Sequence, residues 1–328
     1  MTIPLTSVPT VWAVHDGKIG MASQVIGLAQ SVGWPFVEKR LDIRAPWRHL
    51  VPPLWFQPLS APGAGGDRLE PPWPDLIIAC GRNSVAPALA VKERSGGRTF
   101  WVQIQDPRFA RRRADLLVVP SHDPVTGANV CTTLGAVHRV TRTRLEEGAR
   151  RFAPLLSSLP RPLVAVLIGG DNRVYRWPPD RFAAFVDQLA ALARAGYGLA
   201  ITPSRRTSPA YDTMLRDRLK DNGAYVWDGS GENPYFGLLG LADAIVVTGD
   251  SVNMISEAAA TGKPVHVVAL EGGSDKFTRF HRAMAEAGIT RPFEGRIDEW
   301  RYRPPDDQER AAALIRDRLT RRPQERVA

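Results

Sequence analysis

Short apolar runs alternate along the chain with longer stretches whose apolar residues recur at helical spacing, and the alternation restarts midway. Val11–His15, Phe36–Leu41, Leu76–Ala79, Thr99–Ile104 and Leu116–Val119 read as strands, most of them apolar at consecutive positions as buried parallel strands are. Helices are predicted over Met21–Val32, from Ser84 through Lys92 and over Thr141–Phe152. Residues 46–74 are rich in Pro, Trp and Gly and read as irregular, with a short helix near Trp47–Trp55. Residues 153–162 carry three prolines and no periodicity, which places a domain boundary there. Beyond it, strands begin near Leu163, Gly198, Ala224, Ala244 and Pro264. Helices lie over Pro179–Ala195, Pro209–Asp221, Pro234–Leu241, Ser251–Thr261 and Asp275–Ala287. Two successive series of βα units predict an α/β protein of two doubly wound Rossmann-like domains facing a cleft. The expected domains are 1–155 and 160–328, with the last helix packing back on the first.

Composition narrows the function classes. The 328 residues, 44% of them hydrophobic, suffice for two cores, and no apolar run is long enough to cross a bilayer. The first residues lack a basic n-region, so no signal peptide is expected. Cys80 and Cys131 are the only cysteines, which fits a reducing cytoplasm and excludes a cysteine zinc site. The net charge is +9, and only six of the 43 basic residues are lysines. A GC-rich genome accounts for most of that bias, and an anionic partner is the functional alternative. The basic residues are scattered and no recognition-helix motif is present, so nucleic acid is not expected as a partner.

The polar residues cluster just after strands. In the second half these are Gly169-Gly170-Asp171-Asn172, Ser204-Arg205-Arg206-Thr207, Asp250-Ser251-Val252-Asn253 and Glu271-Gly272-Gly273. In the first half they are Asp16-Gly17-Lys18, Gly81-Arg82-Asn83-Ser84 and Gln105-Asp106-Pro107-Arg108. Residues 242–272 are the most informative stretch. Ala244–Thr248 predicts a strand, Ser251 an N-cap, and Met254 to Ala260 a helix ended by Gly262 and Pro264. A helix N-terminus at the carboxyl edge of a parallel sheet is an anion site, and Glu257, two turns on, can accept hydrogen bonds from ribose hydroxyls. An anion site beside a ribose acceptor suggests a nucleotide.

WAVHDGKIGMASQ (12–24), CGRNSVAPAL (80–89), WVQIQDPR (101–108), LIGGDN (167–172), TPSRRT (202–207), residues 231–265 and KFTRFH (276–281) together resemble the mitochondrial fission Elm family. Its bacterial members are commonly described as glycosyltransferases, and its plant members are associated with mitochondrial division. The resemblance implies the GT-B fold, with the donor nucleotide on the second domain. On that reading Gly169 and Gly170 let the backbone approach a diphosphate, while Asn172, Ser204, Arg205 and Arg206 lie beside it. Asp250, Ser251, Asn253 and Met254 present the helix N-terminus, Glu257 holds the ribose, and Asn233 and Tyr235 shape the base pocket.

On the acceptor side His15 and Asp16 end the first strand, where a general base belongs, and Asp106 is a further candidate. Lys18, Arg82, Asn83 and Arg108 accompany them. No DxD-type loop is present, so no metal is expected; the leaving diphosphate would be stabilised by Arg205, backbone amides and the helix dipole. The activity expected is transfer of a sugar from a nucleotide-sugar, itself the substrate, with no separate cofactor. The alternatives are a nucleotide-sugar epimerase and a non-catalytic adaptor on the same fold. Residues 47–60 (WRHLVPPLWFQPLS) read either as core packing or as a lipid-facing patch flanked by Arg44, Arg48, Arg108, Arg111, Arg112 and Arg113. The second reading implies a cytoplasmic protein peripheral on the inner membrane.

Overall fold

The computed structural model describes residues 8–220 and 223–321. The elements run β1 (Val11–His15), α1 (Ile19–Val32), β2 (Phe36–Arg40), β3 (Leu76–Cys80), α2 (Val85–Arg94), β4 (Phe100–Ile104), β5 (Leu116–Pro120) and β6 (Val130–Thr133). There follow α3 (Arg142–Leu156), β7 (Leu163–Ile168), β8 (Tyr175–Arg176), α4 (Pro179–Arg194), β9 (Gly198–Pro203), α5 (Pro209–Leu219), β10 (Tyr225–Val226) and α6 (Tyr235–Leu241). The chain ends through β11 (Ala244–Thr248), α7 (Val252–Ala259), β12 (Val265–Val268), β13 (Glu271–Gly272), α8 (Asp275–Glu286), β14 (Thr290–Pro292) and α9 (Asp307–Thr320). The expected helix end at Asp221 and the amino-terminal residues read for a signal peptide lie outside the described residues.

Two compact units result, one running to Arg139 and resuming at Asp306, the other spanning Val140–Pro305. Each holds a six-stranded parallel sheet. The first has the order β2-β1-β3-β4-β5-β6, the second β10-β9-β7-β11-β12-β14. Strands β1, β3, β4 and β5 are buried at every position, as are β7 and β11. Helices cover both faces, and the continuous apolar runs follow from that. The short edge strands β6 and β14 carry too few apolar residues to stand out in the sequence.

The division falls before α3, not at 153–162. Glycines draw α3 onto α6. A Cβ on Gly148 would stand 2.8 Å from the Gly237 nitrogen, and one on Gly240 would stand 2.5 Å from the Leu145 carbonyl oxygen. Such close backbone approach is open only to glycine, and it commits α3 to the second unit.

Helix α9 completes the first unit. Ala311, Ala312 and Ile315 are fully buried in one core with Val25 and Leu28 of α1. Gln308 fixes its position: Nε2 donates to Ser31 Oγ at 2.7 Å and Oε1 accepts from the His138 amide at 2.7 Å. Arg316 donates to the Ser31 carbonyl at 2.7 Å. The physical reason lies in α1, whose apolar face on the sheet's outer side needs a neighbour that the local sequence does not supply. Replacing Ile315 by Ala leaves a cavity against α1 and should destabilise the first unit by about 2–5 kcal/mol. Urea unfolding followed by pulse proteolysis should show fragments of residues 8–139 becoming sensitive first; an unchanged midpoint would contradict this packing role.

Candidate functional site

In the second sheet the chain passes from β7 to β9 on one side and later returns to β11 on the other. The carboxyl ends of β7 and β11 therefore flank the switch point, where open α/β sheets form a crevice. Three loops meet there. Gly169 N donates to Thr248 Oγ1 at 2.8 Å and Gly170 N to Asp250 Oδ2 at 3.3 Å. Any side chain at 169 would collide with the Asp250 carboxylate, at 2.3 Å, and any at 170 with the Arg206 carbonyl oxygen, at 2.2 Å. Thr207 Oγ1 donates to the Gly169 carbonyl at 2.7 Å, and Ser204 Oγ accepts from the Arg206 amide. The two glycines are thus required by close approach, whatever they bind.

Asp250 is the hub. Its side chain is wholly buried, its Oδ2 pairs with the half-exposed Arg206 at 2.5 Å, and its Oδ1 has no hydrogen-bond partner. Burial raises its carboxyl above the ordinary value, and the bonds from Thr248, Arg206 and Gly170 offset this only partly. Arg206 is therefore committed to Asp250, and Arg205, also exposed, is the neighbouring cation outside that pair. Asn172 staples the first loop: Oδ1 accepts from the Val174 and Tyr175 amides, both at 2.9 Å, and Nδ2 donates to the Asp250 carbonyl.

Ser251 caps α7, its Oγ accepting from the Met254 amide at 3.3 Å. Asn253 and Met254 stand in the first turn, beside backbone donors that a helix leaves without intrahelical partners. Glu257 is buried, and its Oε2 accepts from the Tyr235 hydroxyl at 2.6 Å. Burial, then the Glu257 charge, pushes that phenol well above its usual range. Asn233 Oδ1 accepts from the Tyr235 amide in the turn that leads into α6.

A pocket of about 280 Å³ opens beside Gly249, lined by Tyr175, Leu270, Gly272 and His281 among others. His281 Nε2 lies 2.9 Å from the Gly249 carbonyl and 3.4 Å from the Tyr175 hydroxyl. Burial lowers its pKa, against the pull of Gly249 and Asp250. Tyr175, Thr248 and His281 were not singled out as site residues in the sequence. The signal was present for His281, which ends the KFTRFH motif; Tyr175 is placed only by the small β8–β13 ribbon.

In the first unit the switch point lies between β1 and β3. Asp16 and Asn83 meet there, with Nδ2 to Oδ2 at 3.5 Å, and Lys18 Nζ lies 2.5 Å from the same carboxylate. His15 is buried with both ring nitrogens engaged, Nε2 toward Glu38 at 2.8 Å and Nδ1 accepting from the Gly17 amide at 3.0 Å. With Nδ1 accepting, the proton sits on Nε2, and no lone pair is left for a substrate hydroxyl. Asp106 is gripped by Arg111 at both oxygens, 2.7 and 2.6 Å. Burial opposes its charge, but the bonds from Arg111 and the Arg108 amide outweigh that and hold the carboxyl below its usual value. Arg82 and Arg108 are exposed.

The model of the family described as mitochondrial fission ELM1 matches residues 19–319. A mitochondrial fission protein ELM1 of Arabidopsis thaliana is 33% identical over 276 residues, which cover 76% of this chain and 65% of that protein. The chain thus spans about two thirds of that relative. Among solved structures, the UDP-GlcNAc 2-epimerase of Methanocaldococcus jannaschii superposes with a TM-score of 0.55 at 10% identity, covering 96% of this chain and 94% of that one. The Neisseria meningitidis enzyme bound to UDP-GlcNAc gives 0.51 at 12% identity, covering 95% and 94%. The fold is of the GT-B type, two Rossmann-like domains, and by its sequence the chain belongs to the mitochondrial fission ELM1 family.

Proposed function

We propose that the second unit binds a nucleotide-sugar and that the protein transfers the sugar to an acceptor. The observation that carries this is the meeting of Gly169-Gly170 with the capped N-terminus of α7 at the sheet's switch point. The glycine amides are taken by Thr248 and Asp250, so the glycines supply only close approach, and the first-turn amides of α7 with its helix dipole suit a diphosphate there. Arg205 adds exposed positive charge. Glu257, its orientation fixed by Tyr235, takes the ribose, and the pocket beside Gly249 has room for a hexose ring. The Asp16, Lys18 and Asn83 cluster of the first unit is assigned to the acceptor, with Asp16 as the general base: it is paired with Lys18 and Asn83 through Oδ2, whereas His15 has no lone pair left and Asp106 is gripped by Arg111 at both oxygens. An epimerase would use the same nucleotide site, in keeping with the fold shared with UDP-GlcNAc 2-epimerases. Product separates the two readings: isomerised donor without acceptor favours epimerisation, and transfer or slow donor hydrolysis favours the transferase.

Thermal-shift titration with UDP, GDP, CDP and ADP tests the site. A nucleotide at a hundred times its Kd should stabilise by about 2.7 kcal/mol. Glu257→Gln should weaken the preferred nucleotide by roughly tenfold, the size of one hydrogen bond to a charged group. It should leave the 2′,3′-dideoxy analogue unaffected. If no nucleotide shifts the melting temperature, the donor assignment fails.

Asp250 gives a pH-dependent prediction. A carboxyl whose folded pKa is raised favours the folded state while protonated, and that contribution is lost as pH climbs from the ordinary 3.8 through the raised value. Asp250→Asn does not titrate. Its stability relative to wild type should therefore rise from pH 4 toward neutrality, the direction in which the wild-type carboxyl must ionise against its burial. Melting curves from pH 4 to 8 check the sign.

A further inference from the structure

The exposed large apolar side chains of the described residues are not evenly spread. Val51, Leu54 and Phe56, at 46, 65 and 57% exposure, fall within six residues, while Val8, Ile19, Val37 and Leu155 are scattered. The six residues lie among three short 3₁₀ turns, Trp47–His49, Pro52–Leu54 and Pro58–Ser60, with Leu54 on the second and Val51 and Phe56 on either side of it. The tryptophans expected at a lipid face are instead buried beneath the turns, Trp47 at 6% and Trp55 at 7%. They act as anchors. Trp47 Nε1 donates to the Phe56 carbonyl at 2.6 Å and Trp55 Nε1 to the Leu50 carbonyl at 3.2 Å. The Trp47 and Phe56 rings stand 5.2 Å apart. Proline fixes φ at the start of two of the turns. The apolar tips are thus held out from the unit by a rigid base, and little ordering is left for binding to supply.

Along the stretch that carries the tips the charge has one sign. Arg44 lies over the Trp47 ring, and Arg48 and His49 are exposed on the first turn. From Ile43 to Gly66 there is no Asp or Glu. At the end of that stretch, Asp67 accepts from the Arg40 amide. The arginine cluster at 108–113 adds less than its sequence suggests, because Arg111 pairs with Asp106 and Arg113 with Glu93.

We infer that the turns at Trp47–Ser60 are a docking surface for an anionic lipid bilayer, with Val51, Leu54 and Phe56 entering the interface and Arg44 and Arg48 meeting the headgroups. Three side chains are too few for a stable protein interface, which needs about 1,000 Å² of buried surface. A bilayer takes a few inserted apolar groups ringed by basic ones. The uneven sign of the charge selects anionic over zwitterionic lipid. The surface lies on the first unit and does not depend on the nucleotide site.

The test is flotation of the full chain with phosphatidylcholine vesicles containing or lacking 30% phosphatidylglycerol, a composition chosen at roughly the anionic density of a charged leaflet. Binding should require the anionic lipid and fall at least tenfold between about 50 and 500 mM salt as the Debye length shortens. Val51→Ser/Leu54→Ser should lose vesicle binding at least tenfold with an unchanged melting temperature, both side chains being exposed. Arg48→Glu should lose it chiefly at low salt. The inference is overturned if wild type ignores anionic vesicles at low salt, if the double variant floats like wild type, or if it loses self-association in light scattering instead, which would make the turns a contact with a second copy.

Discussion

Asp250 holds the second unit's edge together. A carboxylate with no exposed surface occupies the space that side chains at Gly169 would need, accepts from the Gly170 amide and draws Arg206 across from the neighbouring loop. Three loops from three strands are tied to one buried charge. A buried ion with an unpartnered oxygen opposes folding unless its surroundings compensate. Thr248, Arg206 and Gly170 compensate only in part, as the raised carboxyl shows. A residual penalty of this kind is common where a site's geometry is held against stability. It also explains why the GG pair is rigid here and not merely a convenient turn.

The parallel sheet makes this convergence possible. Every crossover returns the chain to the same edge, so residues about eighty positions apart, such as Gly169 and Thr248, end within hydrogen-bond distance. The first unit repeats the logic with different chemistry. Asp16 and Asn83 meet across its switch point, while His15, buried between Glu38 and the Gly17 amide, fixes the turn that presents Asp16. A histidine at a strand end has the composition of a base and the bonding of a strut. The difference lies in which lone pairs its neighbours occupy.

The Pro- and Trp-rich stretch follows a related division of labour. Indole N–H groups need partners when buried, and carbonyls of the same stretch supply them. The two tryptophans become the foundation, and Val51, Leu54 and Phe56 are left outside.

The fold was legible because its strands are buried on both faces, and a continuous apolar run such as LVAVLI in β7 announces that without tertiary information. The cap at Ser251 was legible because a helix N-terminus is a local problem with a local answer. The pairing of Glu257 with Tyr235, the commitment of Arg206 to Asp250 and the engagement of both His15 nitrogens were not, since each joins residues from separate elements whose meeting depends on register and crossover. The same holds for α3, which sequence assigned to the first half and glycine-mediated contact with α6 assigned to the second. Sequence alone determined which residue types stand at which strand ends, because secondary structure and burial follow from local pattern. Only tertiary structure decided which of those groups are already bonded to one another, because hydrogen bonds and ion pairs are satisfied by distance in space, and distance along the chain does not carry it.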